Sequence, residues 1–243
     1  MNYSVSGAGT LSAGVYDDID VSGAVVITGH VECENFDCSG ATTIKESLLC
    51  TGDLDASGSV KSEGTVQARS MDISGSFRST GPITATEDMD ISGSLHCEGP
   101  VKAKTLDISG SIVVDGDIEA EEIDIIGKVK VQGLVNAEEI DMSFYNSSVT
   151  AIGGGTITLS PCVSNSRGTL HALFSPKSKE VPGERLTVTE SVEGDDIDMT
   201  NVTVPTVSGK NVRIGKGCQV DLVQYTDTLD VDADAKIGRV EKV

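Results

Sequence analysis

Apolar residues recur through the first 143 positions in pairs spaced by two, and the pairs return every 17 or 18 residues. One column reads Val25, Thr42, Val60, Phe77, Leu95, Ile112 and Val129. A second reads Val31, Leu48, Val66, Ile83, Val101, Ile118 and Val135, and a third Phe36, Leu54, Met71, Met89, Leu106, Ile123 and Ile140. Partners two positions downstream complete the pairs: Ile27, Ile44, Val114 and Val131 in the first, a Cys/Ala series from Cys33 and Cys50 to Ala137 in the second, and Ile73, Ile91, Ile108 and Ile125 in the third. Spacing by two is strand periodicity, because alternate side chains project to one face. Helical spacing is sustained nowhere. Each period therefore predicts three short strands, each with two inward residues.

The punctuation agrees. The tetrapeptide Asp-Ile-Ser-Gly, or a near variant, places glycine at Gly23, Gly40, Gly58, Gly75, Gly93, Gly110 and Gly127. A second glycine follows six residues later at Gly29, Gly64, Gly81, Gly99, Gly116 and Gly133, with Glu46 in its place in the second repeat. Glycine permits the backbone to turn at the corners. Repeats this short and regular mean a solenoid. The predicted fold is all-β: a single-stranded parallel β-helix of triangular coils, about 17 residues each, stacked about 4.8 Å apart.

Regular coils are expected over 1–143. Segment 144–163, with Gly153-Gly154-Gly155 and the alternating Thr156-Ile157-Thr158-Leu159, predicts an irregular coil. Pro176 and Pro182 mark 164–184 as a projecting loop, and alternation resumes from Leu186 to predict further coils over 185–243. The loop combines Arg167, Lys177 and Lys179 with Leu170, Leu173 and Phe174. That combination suits an acidic partner or an anionic membrane surface, with packing on the rod as the competing expectation.

Composition narrows the functional classes. Four Phe, four Tyr and no Trp leave aliphatic ladders to hold the core. The net charge is −20, of which residues 1–143 carry −17 (25 acidic, 8 basic). An acidic rod repels nucleic acid along most of its length. The repeat pattern begins almost at once, at Val5-Ser6-Gly7, with no apolar leader or span, so a cytoplasmic protein is expected.

Candidate chemistry is sparse. Cys33, Cys38, Cys50, Cys97, Cys162 and Cys218 form no Cys-x-x-Cys pair and read as small buried thiols. Cys33 and Cys50 share a column, close enough for a disulfide that a reducing compartment disfavours. His30, His96 and His171 lie at unrelated phases. Gly215-Lys216-Gly217 lacks the strand-to-helix setting of a phosphate loop. No metal, cofactor, nucleotide or catalytic constellation is expected, and the chain does not read as an enzyme. Asp37, Asp55, Asp72, Asp90, Asp107, Asp124 and Asp141 must form one outward column. Their repulsion calls for hydrogen bonds from turn hydroxyls such as Ser74, Ser92 and Ser109, splayed rotamers, or cations.

The tandem Asp-Ile-Ser-Gly coils resemble the bactofilins, polymer-forming bacterial cytoskeletal proteins. Glu193-Gly194-Asp195-Asp196-Ile197, Val212-Arg213-Ile214-Gly215-Lys216-Gly217-Cys218 and Val223-Gln224-Tyr225 look like the longer bacillus-type branch of that family. The resemblance implies a right-handed helix and nucleotide-independent filaments that scaffold cell shape, polarity or appendage assembly. The implied partner is a second copy of the chain, or a paralogous bactofilin. The short membrane-binding tail of many bactofilins has no counterpart here, which leaves membrane association open. Tyr3, Val5, Leu11 and Val15, which begin the ladders, are the candidate polymer interface, since an uncovered solenoid end offers unpaired backbone and apolar core. The alternatives are a non-polymerising β-helical binding scaffold and a hexapeptide-type acyltransferase; the 17-residue period breaks the six-residue spacing that the latter requires.

Overall fold

The computed structural model describes residues 1–162 and 184–243. Parallel strands stack as a β-solenoid of about 13 turns, a rod of roughly 60 Å at the ordinary inter-strand spacing. Strands pair with the coil above and the coil below, and over the regular coils each short strand pairs with the third strand before or after it in sequence. Phe36 lies in register with Ile19 and Leu54, Met71 with Leu54 and Met89, and Leu106 with Met89 and Ile123.

Burial alternates along the short strands of the regular coils, so that over Asp88–Ile91 exposed Asp88 and Asp90 alternate with buried Met89 and Ile91. All three inward columns line one continuous core. Each fully buried Leu, Ile or Val contributes on the order of 1.5–3 kcal/mol, and no coil can bury its ladder residues alone. The first column interrupts its aliphatic run with Thr42, Ser62 and Ser79, all buried. These polar groups are matched: Ser62 Oγ donates to Gly64 O at 3.0 Å and Ser79 Oγ to Gly81 O at 2.8 Å, while Thr42 Oγ1 lies 3.3 Å from Cys38 Sγ. Among the described residues no buried side-chain nitrogen or oxygen lacks a partner.

The marker glycines answer to stacking, not to a left-handed backbone as the corner argument expects. Among the described glycines only Gly217 has a positive φ, +73°. A Cβ on Gly75 would stand 2.0 Å from the carbonyl oxygen of Gly58, and one on Gly58 2.0 Å from that of Gly40. Each marker glycine thus sits directly against the backbone of the coil before it. No side chain fits there at all.

Beyond Phe144 the stack continues. Ser147–Pro161 pairs with the coil beneath through Ile140↔Ile157 and Met142↔Leu159. The next rung comes from Leu186–Val188 and Ser191–Met199, with Ser147↔Leu186 and Ile157↔Ile197. The chain therefore resumes at Leu186 in the register held at Pro161. Val212 and Leu229 extend the same column to the C-terminal coil.

Candidate functional site

The two ends of the rod and its acidic face are the places where coil stacking leaves groups unmatched. At the C-terminal end, Val231, Ile237 and Val240 stand on inward columns above Ile214, Val220 and Val223. Ile214 and Val223 are fully buried, whereas Val231 is 39% and Val240 47% exposed. No described residue lies over the last coil.

The N-terminal end is less open. Tyr3 and Val5 stack on Ile19 and Val21 and are half-buried where those two are fully buried. Two of the expected interface residues need correcting. Leu11, in register with Ile27, is buried. Val15 is not on a ladder: it pairs with outward Glu32 and is 72% exposed on the side of the rod. Gly14 takes the ladder position below Val31. Tyr16, which the apolar pattern did not single out, is buried instead, with its hydroxyl donating to Ser12 O at 3.1 Å and its ring edge-on to Tyr3 at 6.1 Å. The aromatic pair covers part of the end. The first sixteen residues carry no charged side chain, and the Met1 ammonium pairs with Asp17 at 2.8 Å.

The acidic column lies on the face that carries the Asp-Ile-Ser-Gly strands, and its in-register run begins one coil earlier than expected, at Asp20. Asp37, Asp55, Asp72, Asp90, Asp107 and Asp124 follow rung by rung. Burial, and then the neighbouring column aspartates, push the Asp55 and Asp90 carboxyls up from their ordinary range. Ser74 donates to Asp72 at 2.8 Å, but Ser92 and Ser109 make no such bond. The column loses its uniform charge at Thr158, which pairs with both Asp141 and Asp198. Above it Arg213 is in register between Asp198 and Asp230 and bonds Asp198 at 2.8 Å. Lys210–Asp195 at 2.7 Å and Asn211–Asp196 at 2.8 Å complete a face whose charges are matched.

All six cysteines are buried free thiols. Among the described residues no group of three His, Cys, Asp or Glu side chains is placed to hold a metal, and no helix is long and apolar enough to cross a membrane. Arg167, Leu170, Leu173, Phe174, Lys177 and Lys179 lie outside the described residues.

Stacked parallel coils, aliphatic ladders and open terminal rungs define a β-solenoid built by repetition, with its unmatched surface at the ends. Residues 42–144 match the bactofilin family model, described as polymer-forming cytoskeletal. The match covers less than half of the chain and supports a bactofilin-like reading of this segment. It is also 37% identical over 54 residues to YhbE, an uncharacterized protein of Bacillus subtilis (strain 168). That match covers 22% of this chain and only 23% of the relative. No solved structure matches.

Proposed function

We propose that the chain is a structural, non-enzymatic cytoskeletal protein that assembles end to end into filaments without nucleotide, scaffolding cell shape, polarity or appendage assembly in the cytoplasm. The observation that carries this reading is the change along single ladders: Val223 is fully buried and Val240, one coil further, is 47% exposed. A terminal rung of this kind combines apolar side chains with unpaired backbone donors and acceptors, both of which another solenoid end would satisfy. With no charged side chain before Asp17, the first coil adds little charge repulsion to such a junction. A second copy of the chain is the partner whose coils have the matching shape and spacing, and a paralogous bactofilin is the next candidate. Arg167, Leu170, Leu173, Phe174, Lys177 and Lys179 are proposed as the segment that would meet a partner protein or a lipid surface.

Negative-stain microscopy of the purified chain, with and without ATP or GTP, tests the reading. Filaments are expected in both conditions, and Val5→Asp or Val240→Asp should reduce them to short oligomers while circular dichroism stays unchanged. Filaments unaffected by both substitutions would place the junction elsewhere. Assembly only with nucleotide would overturn the proposal.

A further inference from the structure

Cys33 and Cys50 are in register on adjacent coils, with their sulfurs 3.5 Å apart and the Cys33 thiol directed at Cys50. Both are buried in the core column. Their Cα atoms, one inter-strand spacing apart at about 4.8 Å, fall inside the roughly 4.4–6.8 Å range that a disulfide spans. The other four cysteines have no sulfur bonded to theirs: Cys38 meets Thr42, and Cys97 and Cys218 meet backbone carbonyls. Cys33, though not Cys50, also lines an approach from solvent. A cleft of about 350 Å³ opens at this corner between Tyr16, Cys33, Asn35, Gly52 and Arg69.

We propose that Cys33 and Cys50 are a redox-responsive pair that closes to a disulfide on contact with a hydroperoxide, stapling the second coil covalently to the third. The hydrogen bond from Cys33 holds the Cys50 thiol below its ordinary range and keeps the proton on Cys33. Cys50, whose sulfur also lies 3.3 Å from Glu34 O and Asp53 O, then acts as the nucleophile, and the peroxide reaches it past Cys33 from the cleft. Its thiolate attacks the terminal peroxide oxygen, an S–O bond forms, the O–O bond breaks, and the departing oxygen leaves as an alcohol, or as water from hydrogen peroxide, after protonation by solvent. The Cys33 sulfur then attacks the sulfenic sulfur of Cys50. The S–S bond forms as the S–O bond breaks, and the Cys33 proton leaves with the hydroxyl as water. Two thiols lose two electrons and one hydroperoxide gains them. Only a contraction of the existing sulfur contact is required, so the stack need not open.

The same column carries Ala68, Ala85, Ala103, Ala120 and Ala137 in the following coils, so alanine is compatible with either cysteine position. The experiment uses the full-length chain, exposed to hydrogen peroxide while folded, blocked with N-ethylmaleimide, and digested with trypsin without reductant. Cleavage after Lys45 and Lys61 separates Cys33 from Cys50, so a disulfide joins peptides 1–45 and 46–61. We expect that joined species from monomers on a non-reducing gel, with free thiols falling from six to about four as one disulfide forms and recovering with dithiothreitol. Cys38→Ala should retain it, while Cys33→Ala and Cys50→Ala should each lose it. No joined peptide, a joined peptide that survives Cys33→Ala, or a bridge only between chains would each overturn the assignment.

Discussion

Val240 sits directly above Val223 on one inward column, and the step between them takes the side chain from full burial to 47% exposure. The same substitution should therefore have two different effects. Val223→Asp should unfold the C-terminal coils, because an uncompensated charge enters the core, at a cost of about 4 kcal/mol or more. Val240→Asp should change stability by less than about 1 kcal/mol and act on assembly. Urea denaturation paired with sedimentation velocity separates the two outcomes.

Ile108 tests the ladder in the middle of the rod. It is buried in register between Ile91 and Ile125, so Ile108→Asp should cost several kcal/mol, on the order of 4. Lys104 is half exposed and 3.5 Å from Glu87. Exchanging it for Ala should cost no more than about 1 kcal/mol, the usual limit for a surface ion pair. Comparable losses in the two variants, measured by chemical denaturation, would refute the inward assignment.

Gly75→Ala should be far more damaging than its chemistry suggests. The new methyl would lie 2.0 Å from Gly58 O, against backbone that cannot swing aside. Forcing the coils apart should cost about 1–3 kcal/mol, the usual scale of overpacking. Gly7→Ala, with nothing within 4 Å of the added carbon, should leave the melting temperature within a degree or two, as surface changes do.

Mild acid should stabilise the acidic face. Asp55 and Asp90 have folded pKa values raised above the ordinary 3.8. As pH falls through those values, the native chain binds protons before the unfolded chain does, so the unfolding free energy increases. The gain from these two groups is complete once pH passes below 3.8. Asp55→Asn should mimic protonation at neutral pH, raising the melting temperature by about 2 °C for a stabilisation on the order of 1 kcal/mol, and should flatten the rise on acidification. A melting temperature independent of pH between neutrality and 4, in both wild type and variant, would count against the column's mutual repulsion.

Most of the fold was legible because strand period and coil period are both written in side chains. Val31, Ile83 and Ile118 each stand on the inward column their spacing assigned. The end was less legible. Val15 is apolar and follows a glycine, but the first coil runs one residue short of the usual repeat: Tyr3 pairs with Ile19 and Leu11 with Ile27, each sixteen positions on. The third side is back at the ordinary offset, with Gly14 seventeen positions before Val31, which puts Gly14 on the ladder and turns Val15 outward. Tyr16 is held by its hydroxyl on Ser12 O and its ring edge-on to Tyr3, tertiary contacts with no signature in periodicity. The exposed C-terminal rung was hidden for the opposite reason: Val231 and Val240 have the same pattern as any interior rung, and only their exposure, with no described coil above them, sets them apart.

Ser147↔Leu186 and Ile157↔Ile197 are ordinary ladder pairings on either side of a long stretch of sequence. Since the rung after Pro161 closes in register, the solenoid's pitch is indifferent to how many residues connect those two points. The interval between Pro161 and Leu186 is a natural graft site for a foreign domain with closely spaced termini, which would be carried once per subunit. Should the subunits join end to end, such cargo would be displayed at an interval of about 60 Å, set by one rod length, and altered only by adding or removing whole coils.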